Sequence, residues 1–453
     1  MNIDHTTMQT MKPGKLFKKY LIPSLLGMGF IAINILIDGL FVSHGVGEQA
    51  LAGVNIASPI YSITIAVSLW IGMGGATLYS IALGQRNVRR AQEIYTHALV
   101  LAVVTAGLII GPCLILEQQL AQLFGATDET IAYVLDYLHI ILVFGLIFVL
   151  EHVLSIFIRN DGNPTLAMAG LVISSVVNIV LYYIFIFIFH WGVRGAAYAT
   201  VIGTFIGIMI LLTHFLSPKR QLRVVPATLD LAILREIFSI GSPSFIVEGT
   251  AALMIVAFNI TFRHYAGDTG LVAYSVVNYM HVVFLMFFIG IGAAIQPITS
   301  YYHGARLYQR MRQIVRIGLG TGLGLGAAVF MVGLAGNGFI IDLFGIDLPQ
   351  IIDYTRNGII YFFAGYLFLG INTVLMQYYQ SIEKTRIATA IILGRSLIFF
   401  IPLLCLMPYL FGANAIWLVF PIAEGLSVLF FYLALKFDWI ELVPIETNAA
   451  SIE

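Results

Sequence analysis

Long apolar runs separated by short polar breaks dominate the amino-acid sequence. An α-helix needs about 20 apolar residues to cross the hydrocarbon core of a bilayer, and these runs reach that length. The breaks contain glycine, proline, asparagine and charged residues, which favour turns. The pattern predicts twelve membrane-spanning helices, over residues 18–43, 52–83, 94–116, 131–158, 165–189, 195–216, 237–263, 271–301, 314–336, 351–380, 386–410 and 415–436.

The overall composition agrees with a membrane protein. Hydrophobic residues make up 59% of the 453 residues and charged residues only 10%, whereas soluble domains contain about 25% charged residues. The formal net charge is zero and no basic cluster is interleaved with aromatics, so nucleic acid is not expected as a partner. The two cysteines, Cys113 and Cys405, both lie in apolar runs, and we predict neither a disulfide nor a metal site.

The distribution of lysine and arginine predicts the orientation in the membrane. With twelve spans, 19 of the 23 basic residues fall on the side of the N-terminus and of the even-numbered connections. Only Arg194, Arg263 and Arg356 fall on the other side, and Arg395 lies inside a span. Because cytoplasmic loops are enriched in basic residues, both termini are expected in the cytoplasm and the protein in the plasma (inner) membrane. The first 20 residues are interpreted as a cytoplasmic tail rather than a cleaved signal peptide.

An internal repeat relates the two halves of the chain at an offset of 220 residues, and it needs no gap from the first span to the sixth. Matching positions are Pro23 and Pro243, His44 and His264, Gly72 and Gly292, Arg86 and Arg306, and Arg90 and Arg310. Each half has six spans, an even number, so both insert in the same direction and form a parallel repeat. The predicted fold class is therefore an all-α polytopic membrane protein with two six-helix lobes.

This organisation divides the chain into four segments. We expect an N-lobe at 1–216, a basic cytoplasmic linker at 217–236, a C-lobe at 237–438 and a cytoplasmic tail at 439–453. Two lobes of this kind suit alternating access, in which one lobe rocks against the other. A monomer is expected.

The acidic residues inside the spans are the candidate functional groups. They are Asp38, Glu151, Glu248 and Glu424. Carboxyl groups at membrane depth are costly, so by default they mark an ion or substrate pathway. Asp38 is the strongest candidate, because Asn34 lies one turn before it on the same helical face.

The other three acidic residues are less distinctive. A functional and a structural role are equally open for Glu248. Glu151 and Glu424 are interpreted as structural partners of polar neighbours, and Arg395 is available to neutralise either of them.

Polar and aromatic residues suggest what the cavities bind. Tyr274, Asn278 and His281 share one face of the eighth span and are candidates to line a cavity of the C-lobe. Aromatic rings beside a carboxylate favour flat organic cations, although packing explains many of the rings equally well. The glycine-rich stretch at 318–326 lies inside an apolar span with no preceding strand, so it is not a phosphate-binding loop. No direct use of ATP and no enzymatic activity are expected.

Four motifs, taken in order, resemble the multidrug and toxic compound extrusion (MATE) family. They are IDGLFVSHGVGEQALAGVNIASP in and after the first span, LGQRN after the second, IRNDGNP after the fourth and WGVRGAAYATVIG entering the sixth. The resemblance covers nearly the whole chain. It implies that the chain is a secondary antiporter of twelve helices in two six-helix lobes. Such a protein exports organic cations and drugs in exchange for H⁺ or Na⁺ and needs no other cofactor.

The resemblance also implies roles for particular residues. Asp38 matches the first-span carboxylate of the family that couples transport to a cation. The polar N-lobe residues of the family are similar to Tyr137, Asn178 and Thr200, and the seventh-helix glutamate of some members is similar to Glu248.

Two departures from the family pattern concern carboxylates. Tyr182-Tyr183 stands where some members have an Asp-Pro pair, so a second N-lobe carboxylate is missing. Asn372 stands nearest to the tenth-helix aspartate of members that bind Na⁺ in the C-lobe.

Two other functions are weighed against export. A lipid-linked oligosaccharide flippase of the same superfamily needs arginine and lysine in its cavity to hold a pyrophosphate, and only Arg395 lies inside a span. A membrane-embedded lipid-modifying enzyme needs clustered His and Asp residues, and the sequence has no such cluster.

Overall fold

The computed structural model describes residues 5–218, 220–345 and 348–442, and every regular element in this part of the chain is a helix. Short helices at His5–Thr10 and Glu117–Leu123 accompany the long apolar ones. The first six spans are Pro13–Gly45, Glu48–Gly84, Val88–Ile115, the pair Ile131–Val143 and Gly145–Asn160, Pro164–Tyr183 with a π-helical extension Ile184–Ile188, and Gly192–Leu212 with a 3₁₀ turn Thr213–Leu216.

The second half repeats this series. It begins with the helix Leu231–Gly304, followed by Tyr308–Leu343 and the pair Pro349–Phe363 and Tyr366–Ser381. The eleventh span combines Thr385–Leu393, the π-helix Gly394–Ile398 and Phe400–Phe411, and the twelfth combines the 3₁₀ helix Ala413–Leu418 with Val419–Lys436.

These helices confirm the twelve predicted spans. Nine helices in the described residues are long and apolar enough to cross a membrane, and two further spans are helix pairs bent by 54° and 41°. One of the nine, Leu231–Gly304, contains two spans, because the backbone of Gly267 inside it is non-helical. The chain is therefore a multi-span membrane protein.

Several helices begin earlier than their predicted apolar spans. The third was predicted to start at 94 and starts at Val88, where the Asn87 side chain accepts a hydrogen bond from the backbone N–H of Arg90 at 3.0 Å. Asparagine at this position satisfies one of the free N–H groups of the first turn. The helix thus extends through polar residues that hydropathy does not assign to the membrane.

The 220-residue repeat is visible in the backbone itself. The bend of the fourth span falls at Phe144, and the bend of the tenth falls around Ala364. Residues 220 apart also share positive φ angles, at Gly47 and Gly267, Gly125 and Gly345, Gly192 and Gly412, and Arg86 and Arg306. A positive φ is uncommon for a residue with a side chain, so the shared geometry at Arg86 and Arg306 supports a common origin of the two connections.

The chain folds into two compact units. The N-terminal unit contains Lys19–Phe245 and the C-terminal unit begins at Ile246, while Lys12–Lys18 belongs to the C-terminal unit. The predicted four-segment division remains a prediction, and its last segment, 439–453, lies outside the described residues from 443 onward.

The segment predicted to be a linker lies along the third span. After the 3₁₀ turn ends, residues 217–218 and 220–230 form no regular helix, and the next helix starts at Leu231. The backbone N–H of Val225 donates to Thr96 Oγ1 at 3.1 Å, and that of Asp230 donates to His97 Nε2 at 3.0 Å. These bonds hold the segment on the N-terminal unit.

A buried carboxylate links several helices at one end of this unit. Asp161, in the IRNDGNP motif, accepts hydrogen bonds from the Tyr79 hydroxyl and from His214 Nε2, both at 2.7 Å. Its Oδ2 also accepts from the backbone N–H groups of Gln221 at 3.1 Å and Leu222 at 3.2 Å. The motif therefore connects the fourth span to the second span, the sixth span and the start of the linker.

The second span and the start of the seventh helix meet backbone to backbone within the N-terminal unit. A Cβ added to Gly74 would lie 2.0 Å from the Ile237 carbonyl oxygen, and one added to Gly241 would lie 1.8 Å from the Trp70 carbonyl oxygen. The Trp70 indole also donates to the Phe238 carbonyl at 2.7 Å. Glycine at both positions permits this close approach.

We therefore expect Gly241→Ala to lower the stability of the protein by about 1–3 kcal/mol, because the new methyl forces the two helices apart. Gly249→Ala is the matched control, since it lies in the same helix with nothing within 4 Å of the added Cβ. Thermal denaturation of the two purified variants in detergent measures the difference. Equal denaturation temperatures would show that the close approach is not required.

Candidate functional site

Asp38 is the centre of a polar cluster in the N-terminal unit. It lies half-buried on the first span. Asn34, one turn earlier, donates from its amide nitrogen to Asp38 Oδ2 at 3.1 Å. This pair follows directly from the spacing of four residues on one helix.

Asn178 of the fifth span meets the second carboxylate oxygen. Both the nitrogen and the oxygen of its amide find hydrogen-bond partners when the nitrogen faces the first span. The nitrogen then donates to Asp38 Oδ1 at 3.1 Å and to Asn34 Oδ1 at 3.0 Å. The amide oxygen then lies 3.1 Å from both the backbone nitrogen and the hydroxyl of Thr200 on the sixth span. Both oxygens of Asp38 accept hydrogen bonds, which is the arrangement expected for an ionised carboxylate.

Two tyrosines complete the cluster. The hydroxyls of Tyr182 and Thr200 are hydrogen-bonded at 3.3 Å, and the Tyr137 side chain interacts with those of Tyr182 and Thr200. We call the six residues the Asp38 cluster: Asn34, Asp38, Tyr137, Asn178, Tyr182 and Thr200. It joins the first, fourth, fifth and sixth spans, and it places one carboxyl group among neutral polar groups.

All five residues predicted for the N-lobe site thus lie together, and the structure adds Tyr182. Tyr182 follows Asn178 by four residues, so the two side chains share one helical face. This spacing could have predicted that Tyr182 belongs to the cluster. It stands where some members of the resembling family have an aspartate. A phenol supplies a hydrogen bond at that point instead of a second charge.

Aromatic rings lie one turn from Asp38 along the first span. Phe41 contacts Tyr183 and Phe187 of the fifth span, with ring centroids 6.3 Å and 5.6 Å apart. Tyr183 is exposed. Aromatic faces close to a carboxylate suit an organic cation, because the ring quadrupole attracts positive charge.

The remaining predicted residues belong to the C-terminal unit. Glu248 is half-buried on the seventh span and Asn278 is half-buried on the eighth. The ring of Tyr274 is packed in an aromatic core, with centroids 5.1 Å from Phe258 and 5.0 Å from Phe262. Their roles in coupling and in cavity lining stay predictions.

A second carboxyl group of this unit has a fixed counter-charge. Arg395 donates to Glu424 Oε1 at 2.8 Å, and the Asn372 amide donates to Glu424 Oε2 at 2.6 Å. The Glu424 side chain is 2% exposed and that of Arg395 16%. The sequence left open whether Arg395 neutralises Glu151 or Glu424, and the structure pairs it with Glu424. The Glu424 carboxylate is therefore already paired with a cationic side chain of the protein.

Two stretches of the chain, residues 23–184 and 243–406, match the model of the MatE family. They start 220 residues apart, as the internal repeat requires. Together they cover well over half of the 453 residues.

Two relatives with similar sequences are named as multidrug export proteins. Multidrug export protein MepA of Staphylococcus haemolyticus (strain JCSC1435) is 25% identical over 409 residues, which are 89% of this chain and 89% of that protein. Multidrug export protein MepA of Staphylococcus aureus (strain N315) is 24% identical over 422 residues, covering 92% of each.

Solved structures share the fold over nearly the whole length. The MATE multidrug transporter DinF-BH is 29% identical with a TM-score of 0.87, covering 97% of this chain and 100% of that one. An outward-facing MATE family transporter of the MOP superfamily is 20% identical with a TM-score of 0.89, covering 95% of this chain and 97% of that one.

Proposed function

Because the chain belongs to the MatE family, we propose that it is a secondary active multidrug efflux antiporter. It exports organic cations and lipophilic drugs in exchange for H⁺ (or Na⁺), by alternating access of its two lobes. It acts as a monomer in the plasma membrane with both termini in the cytoplasm. The names of the MepA relatives support drug export, and the Asp38 cluster is the observation on which the coupling mechanism rests.

The chemistry of the cluster supports exchange of one cation for another. A carboxylate with neutral neighbours holds one positive charge at a time, so a proton and a cationic drug compete for it. Asp38 is half-buried rather than fully enclosed, as binding of a ligand requires. The exposed ring of Tyr183 adds an aromatic surface on the same part of the unit.

The proposed cycle is competition at Asp38. In the outward-facing state Asp38 binds the coupling ion and the drug leaves. In the inward-facing state the coupling ion leaves and the carboxylate binds another drug molecule. The free energy of the ion gradient is thereby used to move the drug outward.

The hydrogen bonds around Asp38 favour H⁺ over Na⁺ as the coupling ion. Hard metal cations are bound by several oxygen atoms. The amide groups of Asn34 and Asn178 instead direct their nitrogens at the carboxylate. A proton needs only one carboxylate oxygen, which fits this arrangement.

The contacts of Arg395 argue against an oligosaccharide flippase. Such a protein has to bind a pyrophosphate through free cationic side chains. Arg395, the arginine that the sequence places inside a span, is paired with Glu424. Its charge is therefore already neutralised.

Proteoliposomes test the proposal. Purified protein is reconstituted with ethidium as a monovalent cationic probe, and either a pH gradient or a Na⁺ gradient is imposed alone. Under the pH gradient we expect ethidium to move in the direction opposite to the protons. The Na⁺ gradient should cause little ethidium movement. Movement with Na⁺ alone would assign the other coupling ion, and no movement under either gradient would contradict antiport.

A further inference from the structure

A second carboxyl group of the N-terminal unit has no role in the proposed cycle at Asp38. Glu151 lies in the fourth span after its bend, and it is 5% exposed. Within the part of the chain that the structure describes, its buried Oε1 has no hydrogen-bond partner. The carboxyl group accepts a hydrogen bond from the hydroxyl of Ser174 on the fifth span.

The sixth span leaves space for this carboxyl group. A Cβ added to Gly207 would lie 2.3 Å from Glu151 Oε1 and 2.9 Å from Ser174 Cβ. A side chain at position 207 would therefore have to displace the Glu151 carboxyl. The spans pack around the carboxyl so closely that its free oxygen faces a glycine instead of a donor.

The fifth span connects Glu151 to the Asp38 cluster. Ser174, which contacts Glu151, precedes Asn178, which contacts Asp38, by one helical turn, a rise of about 6 Å. Tyr61 of the second span is a titratable neighbour that interacts electrostatically with both Glu151 and Asp38. On its own helix, the adjacent His152 directs Nδ1 to the Phe148 carbonyl at 3.0 Å.

The two carboxyl groups differ in how well they are hydrogen-bonded. Both oxygens of Asp38 accept hydrogen bonds, so its ionised form is stabilised. An ionised Glu151 would bury a charged oxygen without a donor, which is strongly unfavourable. A neutral, proton-bearing Glu151 avoids that cost, so the hydrogen bonding favours the ionised form more at Asp38 than at Glu151.

We propose that Glu151 is a second proton-binding site of the N-terminal unit. Its carboxyl group belongs to the fourth span, whereas the fifth span has Tyr182 in place of a second carboxylate. This proposal rests on the proposed antiport function and deepens it. A cation bound at Asp38 stabilises negative charge on Glu151, so drug binding releases the proton of Glu151. Proton uptake at both carboxyls from outside then accompanies drug release, and one transport cycle exchanges more than one proton.

Counting the protons released on ligand binding tests this site. Ethidium is titrated into purified full-length protein by calorimetry in buffers with different enthalpies of ionisation, which reports protons released per ethidium bound. We expect Glu151→Gln to bind ethidium and to release about one proton fewer than the wild type. Glu151→Asp keeps a carboxyl and should retain most of the release.

Two further variants guard against a purely structural explanation. Glu129→Gln removes an exposed carboxylate and should release as many protons as the wild type. Gly207→Ala pushes the Glu151 carboxyl aside without removing it and should change the proton count without abolishing binding. If either variant at Glu151 fails to fold, Gly207→Ala still tests the site.

An unchanged proton count in both Glu151→Gln and Gly207→Ala would overturn the inference. That result would leave antiport at Asp38 intact if wild-type proteoliposomes still exchange ethidium for protons. Failure of the wild type to transport ethidium would instead contradict the proposed function itself. The two failures are therefore distinguishable.

Discussion

Replacement of Asp38 by asparagine is expected to abolish drug export while the protein remains folded in the membrane. Asparagine keeps the size of the side chain and can hydrogen-bond to Asn34 and Asn178, but it holds no charge and exchanges no proton. Loss of one partner of a buried charge pair costs about 2–5 kcal/mol, so affinity for a monovalent cationic drug should fall about thirtyfold or more. Drug resistance of cells and ethidium efflux from them measure the effect.

The control for this prediction is Asp128→Asn, which changes an exposed acidic residue outside the spans. It should leave resistance and efflux at the wild-type level. Membrane content and size-exclusion profile establish that Asp38→Asn is produced and folded. Efflux by Asp38→Asn at the wild-type rate would show that coupling does not occur at this carboxylate.

Removal of Arg395 is expected to destabilise the protein more than the added methyl of Gly241→Ala does. In Arg395→Met the carboxylate of Glu424 stays buried with only the Asn372 amide as a donor. Breaking a buried ion pair from one side costs about 3–5 kcal/mol, because an uncompensated charge remains. The denaturation temperature of the purified variant in detergent should fall markedly below that of the wild type.

A double variant separates the charge from the packing. Arg395→Met combined with Glu424→Gln removes both charges and keeps an oxygen that accepts from Asn372. It should recover most of the stability, since replacing both partners of a buried pair is often close to neutral. If Arg395→Met alone were as stable as the wild type, the pair would not contribute to the stability of the fold.

The fold could be predicted almost completely from the sequence, because each span is apolar enough to be recognised alone. The twelve spans and the 220-residue repeat are properties of local composition and of spacing along the chain. Helix ends were less predictable, as at Asn87, where a side-chain cap extends the third helix through polar residues. The course of residues 220–230 along the third span was also unforeseen, since it depends on single hydrogen bonds to Thr96 and His97.

The candidate site could be predicted where it depends on one helix and not where it depends on several. Asn34 and Asp38 share a helical face, so their contact follows from the sequence. The choice of Glu424 by Arg395 depends on how three helices pack. The same is true of the space that Gly207 provides for Glu151, which helical periodicity cannot reveal.

Competition between protons and drug at Asp38 drives the proposed cycle, and it makes drug affinity depend on pH. Ethidium binding to the purified wild-type protein is measured by fluorescence from about pH 8 down to about pH 5. We expect affinity to fall as the pH falls, by up to about tenfold per pH unit for each competing proton. Asp38→Asn should bind weakly at every pH. An affinity that does not change with pH, or a pH dependence that Asp38→Asn retains in full, would contradict competition at this carboxylate.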